Sequence, residues 1–319
     1  MGKVLLFYKY VSIEYPKQVV KWQKKLCQEL GLTGRIFVGH EGINGTLGGT
    51  IESTESYKAR VLEHPLFGDV DFKESEGGAH CFSKLYIVER KEIVHLGLDP
   101  EQISPENGGQ HLTPAQVHDL MTHKPDNLVI LDTRNDYEWE IGRFKDAVTP
   151  PIKNFREFPE YIDQNIEQFK DKDVLMYCTG GIRCERATSY LNSKNVASKV
   201  YQIAGGIHRY VEQYPEGYFR GKNYVFDHRI ALKVNDDILG SCALCAIPCD
   251  DYANCLNAQC NKHFIGCVAC VQKFNGACSE QCDLLIKTGQ ATLRPAFTVV
   301  KPSSFAEASA DLRKQRKAA

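Results

Sequence analysis

Along the first hundred positions the spacing of apolar residues changes several times, and each change marks an element. Residues 4–10 form a nearly continuous apolar and aromatic run, which reads as a strand. Residues 16–30 instead place Val19, Val20, Trp22, Leu26, Cys27 and Leu30 at helical spacing, with Gly31 and Gly34 as stop signals. A second strand opens at 35–38. The glycine-rich stretch 41–49 reads as a turn into a third strand, 54–64 as a second helix and 84–90 as a fourth strand. This βαββαβ order predicts a ferredoxin-like α+β domain, also described as acylphosphatase-like, over residues 1–97. A Gly/Pro-rich connector follows at 97–114. Beyond it, short buried strands at 128–131, 174–177 and 199–203 alternate with helical stretches at 186–193 and 207–213. That alternation predicts an α/β domain with a parallel sheet over 110–215. The chain is therefore read as multi-domain α/β.

Length agrees with this division: 319 residues is about twice a usual domain of ~150. A 43% hydrophobic content is enough for real cores. The formal charge of −1 excludes a globally basic nucleic-acid coat protein, but it averages over unlike stretches. Residues 1–50 carry seven Lys/Arg against three Asp/Glu, residues 51–100 six against ten, and residues 171–235 ten against six. The start shows no apolar signal core, and Leu6 stands where a myristoylation motif needs Ser or Thr. No run approaches the roughly 18 apolar residues of a membrane span. A cytoplasmic protein without membrane contact is expected.

In that compartment thiols stay reduced, so the thirteen cysteines point to metal or catalysis before disulfides. Nine of them fall between Cys242 and Cys282. Two Cys-x2-Cys pairs, Cys242/Cys245 and Cys267/Cys270, supply the turns that present two thiolates to one tetrahedral ion. The segment 236–290 is read as binding two structural zinc ions, with iron–sulfur ligation as the main rival. An interleaved assignment puts Cys242, Cys245, Cys267 and Cys270 on one ion, and Cys255, Cys260, Cys278 and Cys282 on the other. Cys249 and His263 are then spares. A sequential pairing is the alternative. Residues 303–319 read as a polar tail.

The most informative stretch is Cys178-Thr179-Gly180-Gly181-Ile182-Arg183, at the junction of a buried strand and a helix. Such a junction aims backbone N–H groups and the positive helix end at one point. Gly180 and Gly181 let those groups converge, and Arg183 adds a permanent positive charge that can hold an anion. A cysteine at a strand end is often merely a small buried residue. At the head of this loop it is expected to be a stabilised thiolate and a nucleophile. Cys184 is either a resolving thiol or helix packing.

The loop resembles that of a rhodanese domain. Leu131-Asp132-Thr133-Arg134, Tyr137-Glu138 and Gly142-Arg143-Phe144-Lys145-Asp146-Ala147 are similar to the upstream rhodanese signature, with Arg143-Phe144 departing from the usual glycine-histidine-aliphatic pattern. Gly205-Gly206-Ile207-His208-Arg209-Tyr210 resembles the closing motif. Related phosphatases carry Cys-x5-Arg. The shorter Cys-x4-Arg of this chain implies a cradle for a single terminal sulfur and a persulfide on Cys178.

Gly39-His40-Glu41-Gly42-Ile43-Asn44-Gly45-Thr46, the Cys178 loop, Tyr224-Val225-Phe226-Asp227 and the cysteine-rich segment with Pro248-Cys249-Asp250 together resemble the rhodanese-containing tRNA uridine hydroxylases. The resemblance implies oxygen-dependent formation of 5-hydroxyuridine at the wobble position, with tRNA as partner, no DNA, molecular oxygen as co-substrate and Cys178 as essential thiol. The positive stretches at 1–50 and 171–235 suit phosphates. Tyr8, Tyr10, Tyr15, Trp22 and Asn44 are candidates to touch RNA, though core packing and turn geometry also account for them. Two alternatives stand beside this reading: a sulfurtransferase working through a Cys178 persulfide, and a zinc-stapled interaction module without catalysis.

Overall fold

The computed structural model describes residues 2–294; the polar tail at 303–319 lies outside them. In the first part, β1 (Gly2–Tyr10) is paired with β3 (Gly42–Thr50) and β4 (Lys73–Gly77), while β2 (Thr33–Gly39) joins β3 to β5 (Leu85–Glu89). The sheet order is β4-β1-β3-β2-β5. Helices α1 (Pro16–Glu29) and α2 (Ile51–Leu62) cover one face, over a core of Leu5, Phe7, Leu26, Ile36, Leu47 and Tyr57. Strand alternation turns Leu6, Tyr8, Asn44, Thr46 and Ser75 to the other face, which neither α1 nor α2 covers.

Two readings of this part change. The ferredoxin-like fourth strand is the polar Lys73–Gly77, and the expected strand at 84–90 is a fifth, added parallel to β2. The glycine-rich stretch after Glu41 is strand rather than turn. Phe7 faces Gly45 across the ladder, and a Cβ on Gly45 would lie 2.3 Å from its ring. The glycines make room for packing across the sheet.

The second part contains a parallel sheet ordered β6-β10-β9-β7, from β6 (Gln110–Leu112), β7 (Leu128–Asp132), β9 (Asp173–Tyr177) and β10 (Lys199–Ile203). Its helices are α3 (Pro114–His123), α4 (Asp136–Trp139), α5 (Phe158–Gln164), α6 (Ile182–Ser193) and α7 (Gly206–Gln213). Leu175 and Tyr177 enter the core on one sheet face; Val174, Met176 and Cys178 enter the core on the other. Strand β8 (Gly142–Phe144) pairs instead with β11 (Phe219–Tyr224), which also carries β12 (Ala231–Lys233). Phe144 accounts for the departure noted in that motif: its ring packs 4.7 Å from Tyr177 and 4.8 Å from Tyr210.

The cysteine-rich part is small: a hairpin of β13 (Tyr252–Asn254) and β14 (His263–Ile265), then α8 (Val268–Lys273) and α9 (Glu280–Lys287). It is anchored on the second part by Tyr252 Oη, which donates to Tyr137 O at 2.7 Å and Glu140 Oε2 at 3.0 Å.

Candidate active site

The apolar run of β9 ends at Tyr177, whose carbonyl accepts hydrogen bonds from Thr133 N and Oγ1, both at 3.0 Å. The chain then turns through 178–181 directly into α6. The N–H of Gly181 points at Cys178 Sγ, 3.1 Å away. The start of α7 clamps the same loop: Ile207 N donates to Cys178 O at 2.9 Å and His208 N to Thr179 O at 3.1 Å. This close approach explains Gly206. Its φ is +65°, and a Cβ there would lie 2.5 Å from Cys178 O and 2.8 Å from Gly181 N.

Burial alone would push the Cys178 thiol up. Hydrogen bonds from the Cys184 thiol, the Arg183 charge, and the N–H groups of Cys184 and Gly181 outweigh it and bring it down to about 5. Burial and the neighbouring Cys178 thiolate raise Cys184 far above its ordinary range. At neutral pH the pair is one thiolate and one thiol.

Arg183 does not stand open in the loop. Its guanidinium makes a two-pronged bond to Glu138, at 2.5 and 2.8 Å, with both groups buried. Thr179 Oγ1 lies 3.3 Å from Arg183 Nη2 and 3.4 Å from Glu138 Oε1. Arg134 and Asp132 form a second buried pair, which also holds Gly142 O at 2.6 Å.

The uncovered face of the first sheet lies over this loop. Tyr8 Oη donates to Glu185 Oε1 at 2.8 Å, and a Cβ on Gly181 would be 2.7 Å from Tyr8 Oη. His111 Nε2 is 3.0 Å from Glu185 Oε1, and Gln202 Nε2 is 3.0 Å from Oε2. Lys73, 2% exposed, sits 5.1 Å above the Tyr8 ring and is paired with Asp71 at 3.0 Å. Burial lowers its pKa against the pull of Asp71. Asp71 in turn bonds Arg209 of α7, which also donates to Phe72 O at 2.9 Å.

Between sheet and loop lies a cavity of about 450 Å³, walled by Leu6, Tyr8, Asn44 and Thr46, the loop 178–183, Arg156 and Phe226. Asn44 is thus on the cavity wall, its Nδ2 donating to Ile93 O at 2.8 Å. Tyr8 lines the same wall, while Tyr10 Oη reaches Ile182 O at 3.5 Å. Trp22 is stacked on His64 and Phe67 instead, and Tyr15 is exposed away from the cavity. The spacing of the motifs did not disclose Glu138, Lys73 or Glu185 as loop partners. Only Glu138 had a local signal, its place in the upstream rhodanese motif.

The fold gathers the cysteines into two sets. Cys242, Cys245, Cys267 and Cys270 form one, and Cys255, Cys260, Cys278 and Cys282 the other; in each, the four sulfurs lie within 4.8 Å of one another. The separations of 3.8 Å for Cys245–Cys267 and 3.5 Å for Cys260–Cys278 fit the edge of a tetrahedron with metal–sulfur bonds of about 2.3 Å. Both sets can hold a metal ion. Cys249 is buried beside the first set without joining it, and His263 is stacked on Tyr252 at 4.2 Å.

A thiolate at the head of a strand-to-helix loop, clamped by a second glycine-bearing helix on a parallel sheet, defines the rhodanese class, and residues 113–213 match the model of the rhodanese-like domain. Residues 2–93 match the UPF0176 acylphosphatase-like domain and residues 220–283 the rhodanese C-terminal model. The chain is 42% identical over 287 residues to the tRNA uridine(34) hydroxylase of Acholeplasma laidlawii, covering 88% of this chain and 89% of that protein. It is 40% identical to the protein of that name from Bacillus licheniformis, covering 88% of each. The chain belongs to the tRNA uridine(34) hydroxylase family. Among the described residues, no helix is long and apolar enough to cross a membrane.

Proposed function

We propose that this protein hydroxylates C5 of the wobble uridine of tRNA, with Cys178 as the reacting group. The observation that carries this is the placement of an acidic thiol at the floor of a cavity of about 450 Å³, roofed by a separate domain, in a chain of this family. A single rhodanese domain has no such roof, and the sulfurtransferase and non-enzymatic alternatives leave it without a purpose. Uridine, molecular oxygen, two electrons and two protons balance as 5-hydroxyuridine and water, so an external two-electron donor is required.

The residues supply binding, orientation and a nucleophile. Asn44 and Thr46 offer polar edges to a pyrimidine, Tyr8 and Phe226 apolar faces, and Arg156 a charge at the cavity rim for phosphate. A thiolate beneath a uracil adds at C6, the electron-poor end of its C5=C6 bond. The electron pair then moves toward C5 and forms the new bond to oxygen, whose O–O bond is cleaved with the donor's two electrons and two protons; loss of the C5 proton then re-forms the C5=C6 bond and expels the thiolate. The persulfide implied by the rhodanese resemblance would place the same nucleophile one sulfur further out. A protein mass increased by one sulfur atom would reveal it. Glu138 fixes Arg183, and Arg183 holds the thiolate. The two cysteine sets are assigned one structural zinc each, which staples the third part against Tyr137 and Glu140. The cytoplasm, where tRNA is matured, is the assigned compartment.

The test is nucleoside mass spectrometry of tRNA from cells lacking the protein. Re-expression of the wild type is expected to restore wobble 5-hydroxyuridine, and Cys178→Ala to fail by roughly three orders of magnitude in rate. Restoration by Cys178→Ala would remove the catalytic assignment. No effect of the wild-type protein would remove the function.

A further inference from the structure

A second cavity of about 780 Å³ adjoins the first and shares Arg35, Val225, Phe226 and Asp227 with it. All three parts of the chain wall it: Phe82, Lys84 and Tyr86 from the first, Tyr137 from the second, Tyr224 and Phe226 from the end of β11 and the turn after it, His263 from the third. Its walls are rich in rings. Tyr137 and Tyr224 meet edge to face at 5.1 Å, and Tyr224 meets Phe226 at 5.3 Å. Phe226 is nonetheless 42% exposed, so the fold does not use it as core. Its ring also lies under the Arg183 guanidinium, 5.8 Å away, and its carbonyl accepts a hydrogen bond from Arg35 Nη2 at 2.7 Å. Phe226 is therefore a partition, with the thiol loop on one side and the aromatic groove on the other.

Charge supplies the second half of the argument. Arg35 and Lys84 stand on the groove wall, and its acid, Asp227, is already neutralised by Arg229. Aromatic faces interleaved with uncompensated cations are the combination that takes single-stranded nucleic acid. Continuity with the reaction cavity then selects the occupant.

We propose that this groove is a nucleotide-binding subsite. It holds the base next to the reacting uridine in the same strand, stacked against Phe226 and Tyr86, with the intervening phosphate on Arg35 and Lys84. The proposal rests on the tRNA reading and deepens it. The anticodon loop is engaged in two adjoining pockets, with Phe226 as the wedge that unstacks the two bases.

Equilibrium binding of a fluorescent anticodon stem–loop to the full-length protein tests it, with neither oxygen chemistry nor reductant needed. Three RNAs are compared: the intact loop, and loops abasic at either neighbour of the wobble uridine. For the wild type, one abasic loop is expected to bind roughly 5- to 100-fold more weakly than the intact loop. Phe226→Ala, and independently Tyr86→Ala from the first part of the chain, are expected to weaken the intact loop and to erase most of that difference. A variant that merely loosens the fold would lower both affinities and keep their ratio. Lys84→Ala is expected to weaken all three RNAs alike and to reduce the salt dependence. Unaltered discrimination in both ring variants overturns the subsite, as does an unaltered affinity for the intact loop, the result expected of a groove that serves a protein partner. If the wild type binds the intact loop no better than a plain RNA duplex, the tRNA reading itself fails.

Discussion

Among single residues, Cys178 has the most constrained environment, and its consequences are measurable. With its thiol at about 5, alkylation by iodoacetamide is expected to rise with pH through that value and stay flat at neutral pH, whereas an ordinary cysteine is still climbing near 8.5. The same depression ties stability to pH. The anionic form is favoured in the folded state, so its contribution is complete above the unfolded thiol's range and is lost as pH falls toward 5. Replacing Glu138 by Gln leaves Arg183 buried without its carboxylate, which is expected to cost roughly 3–5 kcal/mol in denaturant unfolding. Cys178 and Arg183 were legible in the sequence because they share one short loop whose glycines and flanking periodicity announce it. Tyr8 and Lys73 were not. Tyr8 meets its partner Glu185 from 177 positions away, and nothing local marks a buried lysine.

Two elements carry the site, and they differ in how far the sequence disclosed them. Helix α7 was legible, because its opening glycines and amphipathic spacing both point to it. Its clamp on the loop depends on Gly206, so Gly206→Ala is expected to destabilise by about 1–3 kcal/mol and to lower thiol reactivity, read by thermal unfolding and alkylation together. Strand β4 was invisible. Lys-Glu-Ser-Glu-Gly alternates in polarity hardly at all, because its inward positions, Lys73 and Ser75, face the site rather than an apolar core. The segment before it ties the two domains through Asp71 and Arg209. Burial works against the Asp71 carboxyl, yet Arg209 and Lys73 hold it at about 2. Its stabilising contribution is therefore present above about pH 4 and lost as pH falls through 2. Both partners are partly exposed, so a double-mutant cycle with Asp71→Asn and Arg209→Gln is expected to show a coupling of about 0.5–1 kcal/mol at neutral pH that falls away as pH drops through 2.

For the whole molecule, the division into parts could be read from composition and periodicity, but their docking could not, since the surfaces that meet come from distant stretches of chain. The cavity is built from residues as far apart as Val4 and Arg229. The cysteine segment belongs to the same assembly: Tyr252 holds Tyr137 and Glu140, one and two positions from Glu138. Metal analysis of the full chain is expected to return two zinc ions, one for each cysteine set. Chelation is expected to unfold the segment and, through Tyr252, to slow the alkylation of Cys178 at neutral pH. The roof over the thiol has a further consequence for the chain's own chemical survival. A chain made without residues 1–97 would keep its reactive loop but lack the lid of β1, β3 and β4. Its ionised sulfur is expected to meet peroxide more freely and to be carried faster to sulfinic and sulfonic acid than in the full chain, which protein mass spectrometry after peroxide exposure would read. The domain that shapes the substrate cavity is then also what keeps the catalyst's sulfur in its working oxidation state.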